Sequence, residues 1–148
     1  MKETEEIIEA RLIQLLSERI ADIEILGALS PALEGEVKSS PDTHIDVIVD
    51  LAGQDMDWHA SPCVYTATVT LHYSNAEDSS GVGFRDACRF IRSVFRSLMG
   101  DGCCGLSSDG FECDALTLDS TSTSVDQESE YGGGMIKTYT ATIHGRTN

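Results

Sequence analysis

Arg85, Arg89, Arg92 and Arg96 are spaced by four, three and four residues, the interval that aligns side chains along one face of an α-helix. They are four of only ten basic residues in a 148-residue chain of formal charge −15. A guanidinium row concentrated on one face of an otherwise acidic protein has two readings. It is an ordinary solvated helix face, or it is a complementary contact that docks against acidic surface on a neighbouring copy or a partner. Exposed ion pairs are individually weak, about 0–1 kcal/mol, and salt-dependent. Repeated around a ring, they set register and specificity more than raw affinity.

The other reactive side chains form no catalytic signature. Cys103 and Cys104 are adjacent and Cys113 follows alone, whereas tetrahedral zinc takes four ligands usually delivered as spaced pairs. Cys103 and Cys104 read as small residues in the glycine-rich turn GDGCCGL. The histidines, His44, His59, His72 and His144, are singletons. His44 and His72 fall on polar strand faces that can meet across a sheet, but no G-x-S-x-G or comparable nucleophile setting accompanies them. The acidic segments HIDVIVD and QDMD lack the ligand ladder of a calcium loop. Gly132–Gly134 follows no strand-to-helix transition that would cradle a phosphate. The sequence therefore predicts no enzyme, no cofactor and no metal site.

Length and composition bound the rest. The chain is long enough for a single domain, residues 1–148, with a real hydrophobic core. An acidic surface repels phosphate backbones, so nucleic acid is not expected as a direct partner. It suits a partner with a basic rim, a protein held soluble before assembly, or plain solubility. No apolar run approaches the roughly 20 residues that span a bilayer, and the acidic start MKETEEIIEARL is unlike a signal peptide. With five cysteines and no secretion signal, free thiols in a reducing cytoplasm are expected.

Those residues must be positioned by a readable series of elements. Ile8, Leu12, Leu15, Leu16, Ile20 and Ile23 form one apolar stripe and predict a helix from Lys2 to about Ile25, with Gly27 as its stop. Residues 28–43, punctuated by Pro31, Gly35 and Pro41, read as a connection with a short strand around Glu34–Lys38. HIDVIVDL alternates Ile45, Val47, Val49 and Leu51 with polar residues, a half-buried strand. After turn chemistry in AGQDMDWHASP, VYTATVTLHY places Tyr65, Ala67, Val69, Leu71 and Tyr73 on one face and threonines on the other. SNAEDSSG offers Ser79 or Ser80 as the N-cap of a second helix, about Val82 to Met99, burying Ala87, Phe90, Ile91, Val94, Phe95 and Leu98. FECDALTLDSTSTSV then reads as a strand whose apolar phase changes between Ala115 and Leu116, the mark of a bulge. An acidic, glycine-rich segment DQESEYGGG leads to the last strand, MIKTYTATIHG, with Met135, Tyr139, Ala141 and Ile143 on its apolar face. The tetrapeptide YTAT thus occurs in two strands. Its flanks differ, so it marks two interior strands of one sheet rather than a duplication.

This order, carried by PDTHIDVIVDLAG, the strand VYTATVTLHY and a helix ending RSVFRSLMG, resembles the tail terminator and tail completion proteins of long-tailed bacteriophages. The resemblance is one of layout across nearly the whole chain. It implies an α+β fold, a mostly antiparallel four- to five-stranded sheet with two amphipathic helices packed on one face. It further implies a structural subunit that forms a homohexameric ring on the head-proximal end of the tail tube. Its partners would be other copies of itself, the tail tube protein and a head–tail connector protein, in a virion tail assembled in the bacterial cytoplasm. The family supplies no residue-level motif, so the arginine row rests on its own spacing. Two alternatives stay open: another head–tail connector or neck protein, and a small-ligand-binding or enzyme-subunit domain with a pocket near Tyr65, Tyr139 and His72.

Overall fold

The computed structural model describes residues 4–20, 23–27, 44–54, 63–73, 82–102, 104–108, 110–126 and 134–147. Two helices pack on one face of a five-stranded mixed sheet, the α+β layout the resemblance implies. Helix α1 (Thr4–Arg19) buries Ile8, Leu12 and Leu16, with acidic Glu5 and Glu6 at its dipole-positive start. It ends well before Ile25. Ile20 closes it by donating to the Leu16 carbonyl, and Glu24–Gly27 is an edge strand, β1. The apolar stripe continues in helical phase through Ile23, but Ile23 and Ile25 also alternate, and pairing with a neighbouring strand decides between the two periods. Gly27 is therefore no helix stop. It lies where a Cβ would collide with the buried Glu9 carboxylate, so it admits the close approach of α1 to β1.

Strands β2 (His44–Gln54), β3 (Cys63–Tyr73), β4 (Phe111–Asp126) and β5 (Gly134–Thr147) complete the sheet in the order β1-β2-β3-β5-β4. β1 runs parallel to β2, and every other pairing is antiparallel. The two YTAT segments lie side by side. Ala67 faces Ala141, Thr66 faces Thr142 and Thr68 faces Thr140, while Tyr65 opposes Ile143 and Tyr139 opposes Val69. Each tyrosine therefore meets a β-branched residue across the ladder, and the two fully buried alanines give the helices room to settle over the middle.

The core lies between this face and the helices. Ile45, Val47 and Val49 of β2 are buried with Tyr65, Ala67, Val69 and Leu71 of β3 and Tyr139, Ala141 and Ile143 of β5. Leu51, by contrast, is 46% exposed, because the β2–β3 register shifts between Leu51 and Gly53 and the strand leaves the core there. In β4 the phase change is real: the register shifts between Cys113 and Ala115, so Phe111 and Cys113 are buried before it and Leu116 after it. A second shift between Leu118 and Ser120 reverses the phase again. β4 is an edge strand, and bulges at an edge discourage pairing with a foreign strand. Both bulged carboxylates are used: Asp114 pairs with Arg146 at 3.2 Å, and Asp119 accepts from Thr142 and Thr117.

The first helix end is tied to the second helix by Arg19, which donates to Ser93 Oγ at 2.7 Å, and Arg11 donates to the Gly105 carbonyl at 2.8 Å. The turn after α2 (Val82–Gly100) uses Gly102 at φ 70°, the left-handed conformation that commonly ends helices, and then a 3-10 turn, Cys104–Leu106. Phe111–Cys113 folds back against this turn, where Cys113 N donates to Ser107 Oγ. Cys113 is disulfide-bonded, whereas Cys63 and Cys88 take no part in a disulfide. The expectation of thiols throughout fails at Cys113 because composition cannot show which cysteines the fold places together. The expected strand at 34–38, the N-cap serines 79 and 80, the Trp58 turn and most of DQESEYGGG lie outside the described residues.

Candidate functional site

Helix α2 is positioned by the sheet beneath it. Ala87, Ile91, Val94, Phe95 and Leu98 are buried, and Phe95 stacks on Tyr139 of β5 at a centroid distance of 6.2 Å. Phe84 meets Tyr73 of β3 edge-on at 5.6 Å. Phe90 was expected in the core but is 45% exposed, because it flanks the stripe that Ala87, Ile91 and Val94 centre on the sheet. The hydroxyl of Tyr139 donates to the carbonyl of Cys88 at 3.2 Å, fixing the helix backbone in the middle of the arginine row. Burial, strengthened by the contact with Cys88, pushes the Tyr139 phenol well above its ordinary range. Burial likewise pushes the Cys88 thiol up, so neither group is an accessible nucleophile near neutrality.

Arg85, Arg89, Arg92 and Arg96 are all exposed. They line one groove of about 550 Å³ together with Lys137 and Tyr139 of β5. Lys137 stands 5.9 Å from the Tyr139 ring centre, a cation–π contact, and donates to Thr123. Five of the chain's ten basic residues therefore face one channel. Among the described residues, none of the four arginines takes part in an ion pair or hydrogen bond. The sequence spacing locates the four arginines. It does not reveal Lys137, which reaches the groove only because β5 lies beneath α2.

The three residues considered for a ligand pocket, Tyr65, Tyr139 and His72, do not share one face of the sheet. Tyr65 and Tyr139 are buried under the helices, whereas His72 belongs to the opposite, open face of β3. On that open face His44 and His72 are register partners, as their polar faces suggested, and their rings stack at 4.4 Å. Asp46 Oδ2 lies 3.4 Å from His44 Nε2 and 3.1 Å from His72 Nε2. Threonines of β3 and β5 spread beyond them across the same face.

No protein-family model matches the chain, and no curated protein matches it either. Among solved structures, the chain is similar to a component of the virion of a native gene transfer agent particle. The likeness has a TM-score of 0.53 at 14% identity and covers 94% of this chain and 92% of that one. At that identity what is shared is the fold, over nearly its whole length.

Proposed function

We propose that this protein is a structural subunit of a virion that caps the head-proximal end of a tail tube as a homo-oligomeric, six-membered ring. In this reading it stops tube growth, offers the head-joining surface and catalyses nothing. The observation that carries the proposal is the cationic groove on α2. Five basic side chains converge there, and among the described residues the four arginines form no ion pair, in a chain of net charge −15. A heterologous contact that closes into a ring needs two different complementary patches on each copy. The groove is one patch, and the acidic remainder of the surface supplies the other. The fold shared with a virion component supports a place in such a particle. So does the layout resemblance to tail terminators.

The remaining acidic charge keeps free copies apart until close, oriented contacts outweigh repulsion. Two further partners follow from the proposal, the tail tube protein on one side of the ring and a connector protein on the other. Particles assembled with an affinity-tagged copy of the chain and viewed after immunogold labelling provide the test. Label at the junction of head and tail supports the reading. Label on the head shell, or particles free of label, contradicts it.

A further inference from the structure

We propose that His44, Asp46 and His72 form a binding site for a divalent transition-metal ion on the open face of the sheet, independent of the arginine groove. The three side chains come from adjacent strands: His44 and His72 are direct partners across the β2–β3 ladder, and Asp46 is two residues along β2 on the same face. One donor atom from each lies within 4.8 Å of the other two. A zinc ion bound tetrahedrally at 2.0–2.1 Å holds its ligand atoms about 3.4 Å apart. The observed Nε2–Oδ2 separations of 3.4 and 3.1 Å already match that edge. The remaining separation has to close by no more than about 1.4 Å, and the stacked rings, 13° from parallel, must turn so that both nitrogen lone pairs converge on the ion.

The chemistry of the donors selects the ion. Two imidazole nitrogens and one carboxylate oxygen suit zinc, cobalt, nickel or copper, whereas calcium and magnesium take oxygen ligands in larger number. The side chains are partly exposed, at 14%, 29% and 37% for His44, His72 and Asp46, so an ion can enter from solvent and complete its coordination with water. Bound there, it clamps the start of β2 to the end of β3, the strand that carries the first YTAT segment.

The test uses the full chain, stripped with chelator and titrated with zinc by calorimetry and with cobalt by visible absorption. The proposal expects one ion per chain, four-coordinate cobalt bands, and a rise in melting temperature on zinc addition. His72→Gln and Asp46→Asn, checked for unchanged circular dichroism, should each weaken zinc binding by about tenfold or more. His144→Gln, an exposed histidine outside the cluster, should leave it unchanged, and calcium should not compete. Absence of stoichiometric binding overturns the proposal, as does binding in His72→Gln equal to that of the unaltered chain.

Discussion

Tyr139 joins the second YTAT strand to the arginine helix, and its two contributions are separable by substitution. The side chain is 1% exposed, its ring stacks on Phe95, and its hydroxyl bonds the Cys88 carbonyl at 3.2 Å. Tyr139→Phe removes the hydroxyl alone. One neutral hydrogen bond contributes about 1 kcal/mol net, so the melting temperature should fall by about 2–4 °C for a domain of this size. Tyr139→Ala also removes the ring beneath α2, at a cost of about 3–5 kcal/mol. The corresponding fall is roughly 6–20 °C. Urea unfolding followed by circular dichroism gives both differences, with an unchanged slope on denaturant if only stability is altered. A Tyr139→Ala cost below about 1 kcal/mol would refute the packing argument. Equal costs for the two substitutions would show that the hydroxyl, not the ring, carries the contact.

The same tyrosine sets a dependence on alkaline pH. Burial raises the Tyr139 phenol well above its ordinary value, and burial, followed by the neighbouring Cys63, pushes Tyr65 up to about 12. The folded state therefore favours the protonated phenols. Their contribution to stability is complete below the unfolded value of about 10 and is lost as pH rises through the folded values. Stability should decline from about pH 10 toward 12 and beyond, and Tyr139→Phe should flatten that decline.

Three further substitutions test the packing. Gly145→Ala should destabilise by about 1–3 kcal/mol in thermal melts, because the added Cβ meets the Phe111 ring and comes 2.5 Å from the Glu112 carbonyl oxygen. Ala141→Leu should cost a similar amount by forcing the helices off the buried Ala67–Ala141 pair, and an unchanged melt would show slack there. Phe90→Ser should alter stability by no more than about 0.5 kcal/mol, since Phe90 lies beside the buried stripe and not within it; a loss comparable to that of a core phenylalanine would return it to the core.

Alternation made the central strands legible. Residues such as Tyr65, Ala67 and Val69 repeat with period two, and the identical tetrapeptides pair because each supplies what the other face needs. The bulge beside Asp114 was visible because it shifts large apolar residues between faces. The second, beside Asp119, was hidden among serines and threonines, where a slip changes no hydrophobic pattern. The residues around Ile25 satisfied both helical and strand periods, so only the partner strand could assign Ile25 to β1. The arginine row followed from spacing along one helix. Its groove depended on strand order, which brings Lys137 and Tyr139 beneath it from 40 or more residues away. His44, Asp46 and His72 needed the β2–β3 register as well as their faces, and that register is set by pairing across a segment with no simple pattern.

The mass of the purified chain in solution, beside that of an Arg89→Glu/Arg92→Glu variant, tests the central claim most directly. The double reversal takes the net charge from −15 to −19, two units for each arginine, and puts anions where the groove must receive acidic surface. Salt acts in two senses, screening both this contact and the repulsion between acidic copies, so the variant is the cleaner arm. Light scattering should give a species of six chain masses for the unaltered protein and a monomer for the variant. A monomeric unaltered protein, or a ring that survives the double reversal, would contradict the account.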